Sequence, residues 1–252
     1  MKIDLEGMGV LLTGASRGIG AATARVLLEA GARVALHHNT GSAEVEVLAR
    51  AHPGRAFPLR ADLADDQQVP RLAREAANAL GRIDALVNNA GIFEAADPLG
   101  PDDAWLANWD RTLAVNLRSA AYLGKLLLPG FLRQGQGRFV FVASRAAFRG
   151  DTPDHLAYAA SKAGMVALSR SLARGYGKQG IKSFVVAPGF TNTRMADDFI
   201  RAHGPQSVLA DNALPTLTQP EDIAPTVLFL CSGLMDHATG CSIDLNAASY
   251  VR

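Results

Sequence analysis

The chain has 252 residues, 48% of them hydrophobic and 19% charged, a composition that excludes a disordered or collagen-like polymer. Lys plus Arg (25) balance Asp plus Glu (24) for a formal charge of +1, and aromatics make up only 6%, so neither nucleic acid nor an anionic membrane surface is an expected partner. Cys231 and Cys241 are too few for a disulfide framework and sit among apolar residues, as core fillers do. Met1 to Glu6 carries charges where a secretory signal would have its apolar stretch. No run approaches the ~18 apolar residues of a membrane span, and a cytoplasmic setting is expected.

Short apolar runs alternate with helix-like stretches. Met8 to Leu12 reads as a strand, 18–30 as a helix, Arg33 to Leu36 as a strand and 42–51 as a helix. An extended segment at 55–61 precedes a helix at 65–80 and a strand from Asp84 to Asn88. A long helix is predicted over 104–134, with Pro129 near its end, then a strand from Arg138 to Ala143 and a helix over 157–178. Lys182 to Ala187, a helix at 220–232 and Cys241 to Leu245 complete the series. Strands apolar on both faces and separated by helices specify an α/β fold: a doubly wound, mostly parallel sheet of about seven strands covered by helices on both sides. With no repeat or linker, 1–252 reads as a single domain, and the irregular stretch 191–218, with Met195, Phe199, Ile200, Val208, Leu209 and Leu214, as a substrate lid.

The first strand runs into Thr13-Gly14-Ala15-Ser16-Arg17-Gly18-Ile19-Gly20. Glycines let the chain turn sharply and let a pyrophosphate approach the backbone, and the following helix offers free N–H groups and a positive dipole end. This is a dinucleotide site at the first βα junction. Gly14-Ala15-Ser16-Arg17-Gly18 also matches G-x-S-x-G, the nucleophile elbow of serine hydrolases, but the 13 residues before Gly14 leave room for one strand, too few for that sheet. At the end of the second strand, a carboxylate would accept a ribose 2′-OH and repel a 2′-phosphate. There the chain has His37-His38-Asn39-Thr40-Gly41-Ser42, with no acid, while Arg17 is placed to pair with a phosphate. NADP(H) is favoured, with NAD(H) the alternative and His38, Asn39, Thr40 and Ser42 as hydrogen-bond donors. A plain strand end with one imidazole exposed is the structural alternative for the histidine pair, and no metal site is expected.

Tyr158-Ala159-Ala160-Ser161-Lys162 opens a helix, and the i, i+4 spacing sets a phenol and an ammonium on one face. A nearby cation favours phenolate, so such a pair can act as acid or base near neutral pH. Ser144, Asn88-Asn89-Ala90-Gly91 and Pro188-Gly189-Phe190-Thr191 each follow a strand, at the sheet edge where doubly wound folds place ligands. Asn116 lies inside the long helix, where a solvent-facing residue or a kink is the plain alternative.

These motifs, in this order, resemble the short-chain dehydrogenases/reductases over essentially the whole chain, and specifically the branch like 3-oxoacyl-[acyl-carrier-protein] reductase. The resemblance implies a Rossmann-type fold and a tetrad of Asn116, Ser144, Tyr158 and Lys162. In it Tyr158 exchanges a proton with the substrate oxygen and Ser144 hydrogen-bonds that oxygen. Lys162 lowers the Tyr158 pKa and holds the nicotinamide ribose, and Asn116 holds a water linking Lys162 to solvent. It further implies cofactor contacts from Gly14, Ser16, Arg17, Gly18, Ile19, Gly20, His38, Asn39, Asp62, Leu63, Asn89, Ala90, Gly91, Tyr158, Lys162, Pro188, Gly189 and Thr191. The substrate is a ketone or secondary alcohol, and the assembly a homotetramer or homodimer through 104–134 and 157–178. Pro220-Glu221-Asp222-Ile223-Ala224 resembles the family's late helix start.

Three features depart from the family pattern. Ser144 to Tyr158 is one residue longer than the commonest spacing, with Asp151-Thr152-Pro153-Asp154 as the place for an insertion. Gln179 precedes Gly180-Ile181 where reductases of carrier-protein substrates tend to carry a basic residue. Asn246-Ala247-Ala248 replaces a common Asn-Gly-Gly. Arg145 and Arg149 flank the expected pocket and suit an acidic substrate or a solvated surface equally, and Phe93, Phe148, Phe190 and Met195 are candidates for its apolar wall. A 3-oxoacyl-carrier-protein reductase proper and a non-catalytic nucleotide-sensing module are the alternative functions, besides the hydrolase using Ser16.

Overall fold

A computed structural model describes residues 3–193, 204 and 209–252. Seven parallel strands form one sheet in the order β3-β2-β1-β4-β5-β6-β7. They are β1 (Gly9–Leu12), β2 (Arg33–His38), β3 (Ala56–Arg60), β4 (Ala85–Asn88), β5 (Gly137–Val142), β6 (Ile181–Pro188) and β7 (Ser242–Leu245). The helices are α1 (Gly18–Glu29), α2 (Ala43–Ala51), α3 (Gln68–Leu80), α4 (Asp102–Leu113), α5 (Ser119–Gln134), α6 (Ala146–Arg149), α7 (Leu156–Tyr176) and α8 (Pro220–Cys231). The doubly wound α/β architecture expected from the sequence is the one observed.

The strands are apolar throughout because each face meets a helix layer. Val10 and Leu12 of β1, with Val34 and Leu36 of β2, pack under α1, α2 and α8 through Leu27, Val45 and Val227. Their neighbours Leu11 and Ala35 point the other way, to α3, α5 and α7 through Leu72, Leu123 and Met165. Cys231 is buried in the first layer and Cys241 packs beside it, both as free thiols. Chain order reverses between β1 and β4, and the carboxyl ends of these two strands diverge into a crevice.

Local departures from the predicted elements bear on that crevice. The helix predicted over 104–134 is broken into α4 and α5 by a π-helical turn at Ala114–Arg118, a widened turn of the kind common at functional sites. Strand β2 continues two residues past Leu36 and carries both His37 and His38 into the sheet. The one-turn helix α6, right after Ser144, is too short for a hydrophobic period to reveal. Of the expected lid, Met195, Phe199, Ile200 and Val208 lie outside the described residues. Its flanks are tied together, with Thr191 bridged to Thr218 and the Asn192 N–H donating to the Thr218 carbonyl at 2.8 Å. No helix among the described residues is long and apolar enough to cross a membrane.

Candidate active site

A cavity of about 510 Å³ lies along the carboxyl ends of the strands, between the glycine turn and α6–α7. One half of it is built by the turn after β1. Gly14 and Gly18 take positive φ (69° and 53°), and a Cβ at Gly20 would stand 2.0 Å from the Gly14 carbonyl oxygen. Arg17 makes no side-chain cap and the first turn of α1 has no acid, so the helix's positive end faces the cleft uncompensated. Ser16, Arg17, Gly18, Ile19 and Gly20 line the cavity there, and Asp62 and Leu63 line it beyond β3.

Asn89 ties β4 to this turn. Its Nδ2 donates to the carbonyls of Thr13 (2.9 Å) and Gly14 (3.1 Å). Thr13 Oγ1 in turn accepts from the N–H groups of Asn89 and Ala90, both at 3.0 Å. Asn89, Ala90 and Gly91 therefore sit against the turn and line the cleft.

The end of β2 corrects the sequence reading. His38 is 8% exposed and does not line the cavity, so it is not placed as a cofactor donor, and neither histidine ring lies open to solvent. His37 lines the cleft instead and braces it: Nδ1 accepts from the Gly14 N–H (3.1 Å), which leaves the proton on Nε2 to donate to the Ala61 carbonyl (3.0 Å). Burial holds its pKa down at about 4, so the ring is neutral. The composition of the strand held no sign of this, because the partners come from the glycine turn and from the end of β3. Asn39 and Thr40 do line the cleft and are exposed, while Ser42 begins α2 away from it. Glu44 of α2 is tied to Arg25 at 2.6 Å.

In the other half, Ser144, Tyr158 and Lys162 all line the cavity, as do Pro188, Gly189 and Thr191. Burial pushes the Tyr158 hydroxyl up to about 12, and the neighbouring Ser144 hydroxyl works against that rise. The lowered phenol pKa expected from the Tyr–Lys spacing is not what this geometry gives. The amine of Lys162 lies 5.7 Å from the Tyr158 ring centroid and donates to the Val142 carbonyl at 2.9 Å. Burial pulls Lys162 down to about 8.

Asn116 is fully buried on the π-helical turn rather than facing solvent. Its Oδ1 accepts from the Ile92 N–H (2.8 Å), and its Nδ2 donates to the Ile92 carbonyl and to Ser161 Oγ, both at 3.0 Å. It does not line the cavity but stands directly behind it. A Cβ on Gly91 would lie 3.3 Å from Lys162 Nζ and 3.4 Å from Asn116 Oδ1. Phe93 stacks on His155 at 3.7 Å and meets Tyr158 edge-on at 4.7 Å. Phe93 and Phe190 line the pocket; Phe148 does not and lies under Arg252 instead, and Met195 is outside the described residues. Among the described residues no histidine or carboxylate hydrogen-bonds Ser16, so the hydrolase reading has no base to call on.

A glycine turn thus faces a Ser–Tyr–Lys cluster across a parallel-sheet crevice. The family profile described as enoyl-(acyl carrier protein) reductase matches residues 14–247. The chain is 35% identical to the cis-4-hydroxycyclohexanecarboxylate dehydrogenase of Sinomonas cyclohexanicum, over 91% of each protein. It is 31% identical to the 3-oxoacyl-[acyl-carrier-protein] reductase of Thermotoga maritima, over 98% of this chain and 99% of that one. A crystal structure of a dehydrogenase/reductase from Sinorhizobium meliloti 1021 superposes with a TM-score of 0.89 at 33% identity, covering 99% and 98% of the two chains. The chain belongs to the short-chain dehydrogenase/reductase family and is an oxidoreductase of alcohol and ketone substrates that uses a nicotinamide cofactor.

Proposed function

We propose that the protein transfers a hydride between NADP(H), in preference to NAD(H), and a ketone or secondary alcohol, with Asn116, Ser144, Tyr158 and Lys162 as its catalytic set. One observation carries this reading: Ser144, Tyr158 and Lys162 line the same cleft as the uncapped amino end of α1. The cradle suits a dinucleotide, since Cβ atoms at Gly20 or Gly91 would crowd it.

A bound nicotinamide supplies or accepts the hydride. Tyr158 gives its proton to the carbonyl oxygen in reduction and takes one from the hydroxyl in oxidation. A hydroxyl pushed up to about 12 is protonated at neutral pH, which favours the donor role. Ser144 donates to the same oxygen and stabilises charge developing there. Lys162 would hold the nicotinamide ribose beside Gly91. Asn116 clamps the Ile92 backbone and Ser161 and so fixes the wall behind the ammonium.

Cofactor choice follows from charge. Arg17, Asn39 and Thr40 are exposed cleft residues, and no acid stands among them at the end of β2. One charge-assisted hydrogen bond to a 2′-phosphate contributes about 1.5–3 kcal/mol, so NADPH should exceed NADH in kcat/KM by about tenfold or more. Steady-state rates with both cofactors over a carbonyl panel test this, and equal or faster turnover with NADH contradicts it. A second reading, reduction of 3-oxoacyl groups on a carrier protein, draws support from the name of the Thermotoga maritima relative. A 3-oxoacyl thioester in the same panel separates the two.

A further inference from the structure

The substrate end of the cleft holds two arginines that the hydride-transfer chemistry does not use. Arg145 follows Ser144, and Arg149 lies one turn later, so the two guanidiniums share one face of α6. Like charges at this spacing repel, and Arg145 is 7% exposed, so the pair is costly unless an anion meets it. Phe190 supports the Arg145 guanidinium at 5.1 Å. Nη1 of Arg145 is buried with no hydrogen-bond partner among the described residues. Its ion-pair partner, Asp211 Oδ2, stands 3.9 Å away, beyond hydrogen-bond reach, because that same oxygen accepts from Arg149 Nη1 at 2.9 Å. One half-exposed carboxylate oxygen thus serves two arginines.

The other charged groups lining this end do not satisfy Arg145. Glu94 is paired with Arg111 at 3.3 Å across the mouth, and Asp151 acts on Arg145 only at a distance. Burial and the neighbouring Arg149 both hold the Arg145 pKa down, the signature of a cation short of anionic company.

We infer that Arg145 and Arg149 form an anion subsite, and that the substrate is a ketone or secondary alcohol carrying a carboxylate. The substrate carboxylate takes the place that Asp211 fills only in part, and its two oxygens meet both guanidiniums, which orients the reacting carbon toward Ser144 and Tyr158. This rests on the oxidoreductase reading above. The guanidiniums bind and position; they exchange no proton.

The test compares keto acids with their methyl esters and with the matching thioesters, using NADPH and NADH. Wild type should favour the acid over its ester by about tenfold or more in kcat/KM, as one charge-assisted pair can supply. In Arg145→Gln that acid-to-ester ratio should fall about tenfold, chiefly through KM, and Arg145→Lys should restore part of it. NADPH binding, followed by fluorescence, shows that each variant is folded; if Arg145→Gln does not fold, Arg149→Gln gives the same ratio test. Turnover that is equal for acid and ester, or faster for esters or thioesters, overturns the subsite and leaves the oxidoreductase reading intact. An absence of turnover on every compound with either cofactor overturns the oxidoreductase reading itself.

Discussion

The residue with the clearest consequence for stability is His37. It bridges the Gly14 N–H and the Ala61 carbonyl only while neutral, and its pKa lies at about 4 against an ordinary 6.5. The unfolded chain therefore binds the extra proton first. The stabilisation is complete above pH 6.5 and is lost as pH falls toward 4, a change of about 3 kcal/mol. Urea unfolding should show the midpoint dropping over that window. His37→Gln keeps a donor and an acceptor but does not titrate, so its midpoint should vary much less with pH. Parallel curves for the two proteins would refute the brace. Neither the tautomer nor the burial was legible in the sequence, where adjacent histidines at a strand end look like any polar terminus. The same limit applies to Tyr158 and Lys162. Their spacing revealed a shared helical face, but not that the amine turns to the Val142 carbonyl and leaves the phenol governed by burial.

At the scale of elements, α8 shows how a local signal supports the site from a distance. Its start is a capping box: the Gln219 N–H donates to Asp222 Oδ2 at 2.7 Å, and the Gln219 side chain reaches the third helical residue in return. Ile223, Val227 and Leu230 then share a core layer with Leu27 and Leu28 of α1, the helix that follows the glycine turn. Asp222→Ala should lower stability by about 1 kcal/mol in urea unfolding, and an unchanged midpoint would show that the box contributes nothing. The strands and most helices were legible because burial on both sheet faces writes a continuous apolar run into the sequence, as in Arg138 to Ala143. The π-helical turn was not, since a single widened turn leaves no period, and Asn116 consequently looked like an ordinary helix residue. Helix α6 escaped notice for the same reason, and with it the burial of Arg145.

At the scale of the whole molecule, reversal of strand order between β1 and β4 brings separate motifs to one edge. The glycine turn, Asn89 to Gly91, Ser144, α7 and Pro188 to Thr191 are distant in sequence, yet all line one cavity. Exposed leucines at Leu106, Leu132 and Leu156 lie on α4, α5 and α7, the helices expected to carry subunit contacts. Under the proposed function this edge joins a nucleotide cradle to a proton donor, Tyr158, so that binding and chemistry are separable. Tyr158→Phe removes one oxygen and keeps the ring against Phe93. Measured together, NADPH affinity by fluorescence titration and carbonyl reduction by nicotinamide absorbance should part company: affinity within a few-fold of wild type, and kcat lower by about 10²–10⁴. Full turnover in the phenylalanine variant would contradict Tyr158 as the proton donor.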